Sequence, residues 1–115
     1  MDVTIYHNPR CSKSRQTLEL LKAKGIEPQV VLYLETPPSS SQIRSILDKL
    51  QIAPKGLMRT GEDEYKTSGL NNPSLTADEE IELLAQHPRV IERPIVVCGD
   101  RAAIGRPPES VLAIL

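Results

Sequence analysis

The run Tyr6-His7-Asn8-Pro9-Arg10-Cys11-Ser12-Lys13-Ser14-Arg15 gathers the side chains best suited to chemistry. An extended pattern carrying Val3 and Ile5 stops at Asn8-Pro9, and a helical pattern opens just after Cys11 with Leu18 and Leu21 on one face and Gly25 as its stop signal. Cys11 is therefore expected at a helix start. There, unpaired backbone N–H groups and the positive end of the helix dipole favour a thiolate, and Arg10, Lys13, Arg15 and His7 add to that preference. The same N–H groups, with the Ser12 and Ser14 hydroxyls, are suited to hold an oxyanion beside the sulfur.

A lone cysteine is more often an inert, half-buried small residue than a nucleophile. Apolar neighbours usually surround a packing cysteine, however, whereas Cys11 precedes four polar or cationic positions and follows a His by four. Ser at position 14 excludes a Cys-x-x-Cys dithiol, and Arg15 comes too early for a Cys-x5-Arg phosphatase loop. A thiolate beside a bound oxyanion also needs cations to offset repulsion between two anions, and arginine forks suit tetrahedral oxyanions. Arg59, Arg93 and Arg106 each fall beside a turn or strand end, although any one of them alone reads as a solvated surface charge. Cys98, in an apolar run, reads as buried packing, or as a redox partner of Cys11 only if the fold joins them. His87 reads as a helix C-terminal cap, and Glu62-Asp63-Glu64 as a solvated loop with no His or Cys at metal-ligand spacing.

The elements that must position these residues follow from periodicity. Asp2 to Tyr6 reads as a strand, Ser12 or Ser14 to Lys24 as a helix, and Gln29 to Leu34 as a strand of the kind buried on both faces. This β-α-β opening places Cys11 at the carboxyl end of the first strand, where open α/β sheets usually carry their sites. Ser39 with Gln42 forms a capping-box signature, followed by Ile43, Ile46, Leu47 and Leu50 at helical spacing. A Pro54-Lys55-Gly56 turn, a short helical piece at Leu57-Met58-Arg59 and irregular chain from Thr60 to Pro73 come next. Thr76 with Glu79 caps a further helix that ends at His87-Pro88. Ile95 to Cys98 and Ala102 to Ile104 read as a hairpin about Gly99-Asp100, and Pro107-Pro108-Glu109 opens a last helix with Val111, Leu112 and Leu115 on the sheet. The order β-α-β, helical block, β-β-α resembles an α/β thioredoxin-like fold with a central helical insertion. Pro94 stands where such folds carry a cis proline facing the active cysteine; the sequence leaves its isomer open.

With 115 residues the chain reads as a single domain. Its 14 basic and 15 acidic residues nearly balance, which argues against nucleic acid or an anionic membrane as an obligatory partner. No apolar run approaches the roughly 20 residues of a membrane helix, and the start Met1-Asp2-Val3-Thr4 lacks the regions of a signal peptide. Two cysteines are too few for a disulfide scaffold, so a reducing, cytoplasmic setting is expected. Without Trp or Phe, the core must be built from Leu, Ile and Val, and no aromatic platform is offered to bases.

Five segments together carry a family resemblance: Ile5 to Arg15, Tyr33-Leu34-Glu35-Thr36-Pro37-Pro38, Leu57-Met58-Arg59, Glu92-Arg93-Pro94-Ile95-Val96-Val97 and Gly105-Arg106-Pro107. In this order, over nearly the whole chain, they resemble the glutaredoxin-dependent arsenate reductases of the ArsC type. The resemblance implies that Cys11 attacks arsenate, that Arg59, Arg93 and Arg106 bind the oxyanion, and that His7, Ser14 and Arg15 support the cysteine. His7 reads equally as a strand-end residue bonded to backbone. Glutathione enters as co-substrate, glutaredoxin resolves the mixed cysteine–arsenic–glutathione species with release of arsenite, and no cofactor is bound. No second protein cysteine is then required, in keeping with Ser14.

The chain ends directly after its last helix, where longer members of that family continue with a polar tail, and Arg10 and Lys13 make the loop more basic than in some relatives. Two other functions fit the same fold. A regulator of the Spx type, binding RNA polymerase, usually carries a Cys-x-x-Cys switch, which Ser14 opposes. A general glutathione-dependent thiol reductase would act on disulfides and would not depend on Arg93 or Arg106.

Overall fold

Alternating Val3 and Ile5 turn to the same face, and both are buried, so the strand β1 (Val3–Tyr6) becomes the hydrophobic centre of a small mixed sheet. In the computed structural model, which describes residues 2–115, the sheet order is β2-β1-β3-β4. A crossover through α1 (Ser12–Ala23) sets β2 (Gln29–Val31) parallel to β1, while β3 (Ile95–Cys98) and β4 (Arg101–Ile104) add antiparallel on the other side. Tyr6 pairs with both Val31 and Ile95, so the ends of β1 and β2 and the start of β3 share one edge of the sheet. That edge is where the Cys11 loop emerges. This is the thioredoxin-like arrangement. Gly99, with φ of +63°, makes the expected two-residue turn between β3 and β4.

The chain divides into two compact units. The first takes in the chain through Thr36 and again Arg93–Leu115, with a core of Val3, Ile5, Leu21, Val96, Val111 and Ile114. The second, Pro37–Glu92, contains α2 (Ser40–Leu50), α3 (Asp63–Thr67) and α4 (Ala77–Gln86). Both expected capping boxes form: Ser39 Oγ accepts from Gln42 N–H and Thr76 Oγ1 accepts from Glu79 N–H, each at 3.2 Å, with the reciprocal side-chain bonds in place. Lys55 sits among Glu80 Oε2 at 3.1 Å, the Leu70 carbonyl at 2.6 Å and Tyr65 Oη at 3.3 Å. Burial works against its ammonium, but the bonds to Glu80 and Tyr65 outweigh that and raise its pKa. Among the described residues, no helix is long and apolar enough to cross a membrane.

Several elements depart from the sequence reading. Only Gln29–Val31 form a strand of the expected Gln29 to Leu34, and it is not buried on both faces: β2 is an edge strand, and Val30 is 43% exposed. After it the chain turns, with Glu35 and Thr36 N–H both donating to the Leu32 carbonyl; Tyr33 points inward and Leu34 outward. Asp2 and Lys24 lie just outside β1 and α1. Gly25, with φ of +76°, closes α1 by donating to the Lys22 carbonyl. Residues Pro54–Leu57 form a 3₁₀ turn, and Met58 instead bridges to Ile91 as a strand would. The irregular stretch holds α3, whose flank is not a solvated loop: Glu62 meets Arg59 at 2.9 Å and Glu64 meets His87 Nδ1 at 3.0 Å. His87 thus ends α4, with its ring bonded to a carboxylate. The last helix is 3₁₀, Pro108–Ile114, so its inward face repeats every three residues, Pro108, Val111 and Ile114, and Leu112 faces out.

Candidate functional site

Asn8-Pro9 ends the strand, and the Cys11 N–H donates to the Asn8 carbonyl at 3.0 Å, which folds the loop back so that Cys11 becomes the N-cap of α1. Its backbone is extended (φ −95°, ψ 123°), its carbonyl accepts from Arg15 N–H at 3.0 Å, and its side chain makes no capping bond. The sulfur is thereby free of the helix while remaining beside its first-turn N–H groups and the positive end of its dipole. Cys11 is buried, with 7% of the residue exposed.

Arg106 supplies a cation at the sulfur. Its Nη2 donates to Cys11 Sγ at 3.4 Å and its Nε donates to the Arg93 carbonyl at 2.7 Å, which braces the guanidinium against the residue before Pro94. The Arg93–Pro94 and Arg106–Pro107 peptide bonds are both cis. Pro94 opens β3, and its carbonyl accepts from Gly105 N–H at 2.9 Å, so the Arg93 and Arg106 turns are stitched together. Pro94 is thus cis at the expected place.

Behind the loop lies a buried polar pair. His7 Nδ1 stands 2.6 Å from Ser14 Oγ, and Ser14 Oγ also accepts from Asn8 N–H at 3.0 Å. His7 is 6% exposed and Ser14 fully buried. Burial, then the positive charges of Arg15 and Lys22, hold His7 below its ordinary imidazole value. His7 is therefore bound to the Ser14 side chain and is not merely a strand-end residue bonded to backbone. Arg15 Nη1 donates to the Pro9 carbonyl at 2.8 Å and so ties the loop to α1.

Of the residues read from sequence, the first unit brings together Cys11, Arg106, Arg93, Pro94, His7, Ser14 and Arg15. Arg59 belongs to the second unit, where its Nη1 meets Glu62 at 2.9 Å, its Nε lies 3.8 Å from Glu92, and its N–H donates to the Val90 carbonyl at 2.7 Å. Cys98 packs against the apolar core as expected, but it is half-buried and not buried, because β3 ends there at the fringe of that core. It cannot partner Cys11: it pairs with Val3 at the start of β1, whereas Cys11 follows the far end, about 10 Å of strand away. Thr17 is absent from the sequence reading, and Gly105 enters it only as part of the Gly105-Arg106-Pro107 segment, with no role of its own. Thr17 shares with Ser14 and Leu21 the three-and-four spacing of one buried helix face, and that spacing was the available signal. Among the described residues, no group of His, Cys, Asp and Glu is placed to hold a metal ion.

The sequence model of the ArsC family matches residues 6–114. An arsenate reductase of Neisseria meningitidis serogroup A is 48% identical, over 99% of this chain and 98% of its own length. The uncharacterised protein YfgD of Escherichia coli K12 is 52% identical, over 98% and 96%. The solved structure of an arsenate reductase from Vibrio cholerae is similar to this one with a TM-score of 0.97 and 49% identity, covering 100% of this chain and 98% of that one.

Proposed function

The chain belongs to the ArsC family, and we propose that it is an arsenate reductase that draws its electrons from glutathione and glutaredoxin. The observation that carries this reading is the contact of Arg106 Nη2 with Cys11 Sγ, 3.4 Å, at the cap of a twelve-residue helix. A sulfur nucleophile, a fixed cation and helix N–H groups converge on one point, as attack by an anionic sulfur on an anionic substrate requires. The names of the relatives support arsenate as that substrate.

Cys11 Sγ attacks arsenic and one arsenate oxygen leaves as water, giving a sulfur–arsenic(V) bond. Arg106 and Arg93 carry the oxyanion charge, with Arg59 as the third cation implied by its motif. The glutathione thiol replaces a second oxygen on arsenic, again releasing water. The glutaredoxin thiolate then attacks the glutathione sulfur; the glutathione–glutaredoxin disulfide forms, and the electron pair of the broken bond stays on arsenic, now arsenic(III). Water cleaves the remaining Cys11–arsenic bond and frees arsenite and the thiol. Both electrons come from outside thiols. Cys98, remote from Cys11 along the sheet, has no part in it.

The experiment is arsenite production from arsenate by the purified protein with glutathione and glutaredoxin supplied together and each omitted in turn. Arsenite forming at full rate only with both is the expected result. Equal rates without glutaredoxin would remove that partner, and equal rates without glutathione would remove the co-substrate.

A further inference from the structure

The turn that carries Arg106 leaves no room for a side chain at the residue before it. A methyl group on Gly105 would lie 2.5 Å from Thr17 Oγ1, 2.8 Å from Pro94 Cγ and 3.1 Å from Thr17 Cγ2, against a carbon contact optimum of about 3.5–4.0 Å. Neither neighbour is free to swing aside. Thr17 is fully buried in α1 with Oγ1 donating to the Lys13 carbonyl at 2.8 Å, and Pro94 is a buried ring whose carbonyl holds Gly105 N–H at 2.9 Å. Thr17 rides on the helix that Cys11 caps, and Arg106 follows Gly105 directly. The depth at which Gly105 seats on Thr17 therefore sets how far the Arg106 guanidinium stands from Cys11 Sγ.

We propose that Gly105 and Thr17 are positioning residues that seat the Arg106 turn against α1 and hold its guanidinium on the Cys11 sulfur. This rests on the reading of Arg106 as the cation of the site. The consequence is a narrow tolerance: a methyl added at 105 lifts the turn, and removal of the Thr17 branches lets it drift.

The test reads the cation at the sulfur without arsenate. Cys11 of the full-length protein is alkylated with anionic iodoacetate and, separately, with neutral iodoacetamide at one pH, and the Cys11 peptide is followed by mass spectrometry apart from Cys98. The ratio of the two rates cancels the fraction of sulfur ionised and reports the local charge. Arg106→Gln is expected to lower that ratio about threefold to fivefold, the scale of one unit charge a few ångströms away in water. Gly105→Ala, folded by circular dichroism, is expected to lower it comparably. Thr17→Ala combined with Gly105→Ala is expected to restore part of the loss, because the Thr17 branches no longer meet the new methyl while Pro94 Cγ still stands 2.8 Å from it. Where Gly105→Ala does not fold, Thr17→Ala alone decides, with a lowered ratio expected and an unchanged one overturning the proposal. A wild-type ratio in folded Gly105→Ala, with Arg106→Gln lowered, overturns the positioning role alone. An unchanged ratio in Arg106→Gln overturns it together with the cation reading.

Discussion

Three residues do most to define the site. Cys11 has its backbone committed to the α1 cap while its sulfur accepts from Arg106 Nη2, and the Arg106 guanidinium is braced by its Nε bond to the Arg93 carbonyl. His7 lies behind them, paired with Ser14, and burial holds its imidazole below the ordinary value. A charge-assisted bond to an oxyanion is worth roughly 1.5–3 kcal/mol, so Arg106→Ala is expected to raise the arsenate KM about 10- to 100-fold with an unchanged melting temperature. Steady-state kinetics beside a thermal melt checks this, and an unchanged KM would remove Arg106 from substrate binding. Cys11 was legible from its own neighbours, because a polar, basic run after a strand end is a poor place for packing. Arg106 was not, since one arginine beside a turn resembles any surface charge; only its motif, shared with a known family, singled it out. The helical spacing of Thr17 with Ser14 and Leu21 marks its buried face, but its contact with Gly105 was out of reach because it joins distant parts of the chain.

At the scale of elements, local chemistry foretold what local chemistry decides. Both capping boxes, the Gly25 stop and the Gly99-Asp100 turn form as their residues dictate. The misreadings occurred where tertiary position decides. An apolar run at Gln29 to Leu34 reads as a central strand, yet its place at the sheet edge shortens it and exposes Val30. The closing segment reads as an α-helix from its proline start, yet its buried side chains follow a three-residue period. That phase is testable. Val111→Ala removes a fully buried side chain and is expected to cost about 2 kcal/mol, whereas Leu112→Ala, at an exposed position, is expected to cost under about 0.5 kcal/mol. Urea unfolding of the pair checks this; equal losses would restore the α-helical phase.

For the whole molecule, the order β-α-β, helical block, β-β-α was legible from periodicity together with caps and turn residues, and the block is the second compact unit. Stability ties the site to the fold through His7. Because its native pKa lies below the ordinary 6.5, the unfolded chain takes up that proton first as pH falls. Stability should therefore drop as pH falls below about 6.5, through the window down to the lower native value. In His7→Gln the fall in urea midpoint between about pH 7 and pH 5 is expected to be smaller than in the wild type, and an equal fall would mean that other groups carry it. The central claim, that Cys11 performs the reduction, is a property of the assembled molecule, and one measurement tests it most directly: arsenite formed from arsenate by the wild type and by Cys11→Ser, with glutathione and glutaredoxin present. Turnover in the wild type and none above background in Cys11→Ser is the predicted result; arsenite from Cys11→Ser at the wild-type rate would contradict the account.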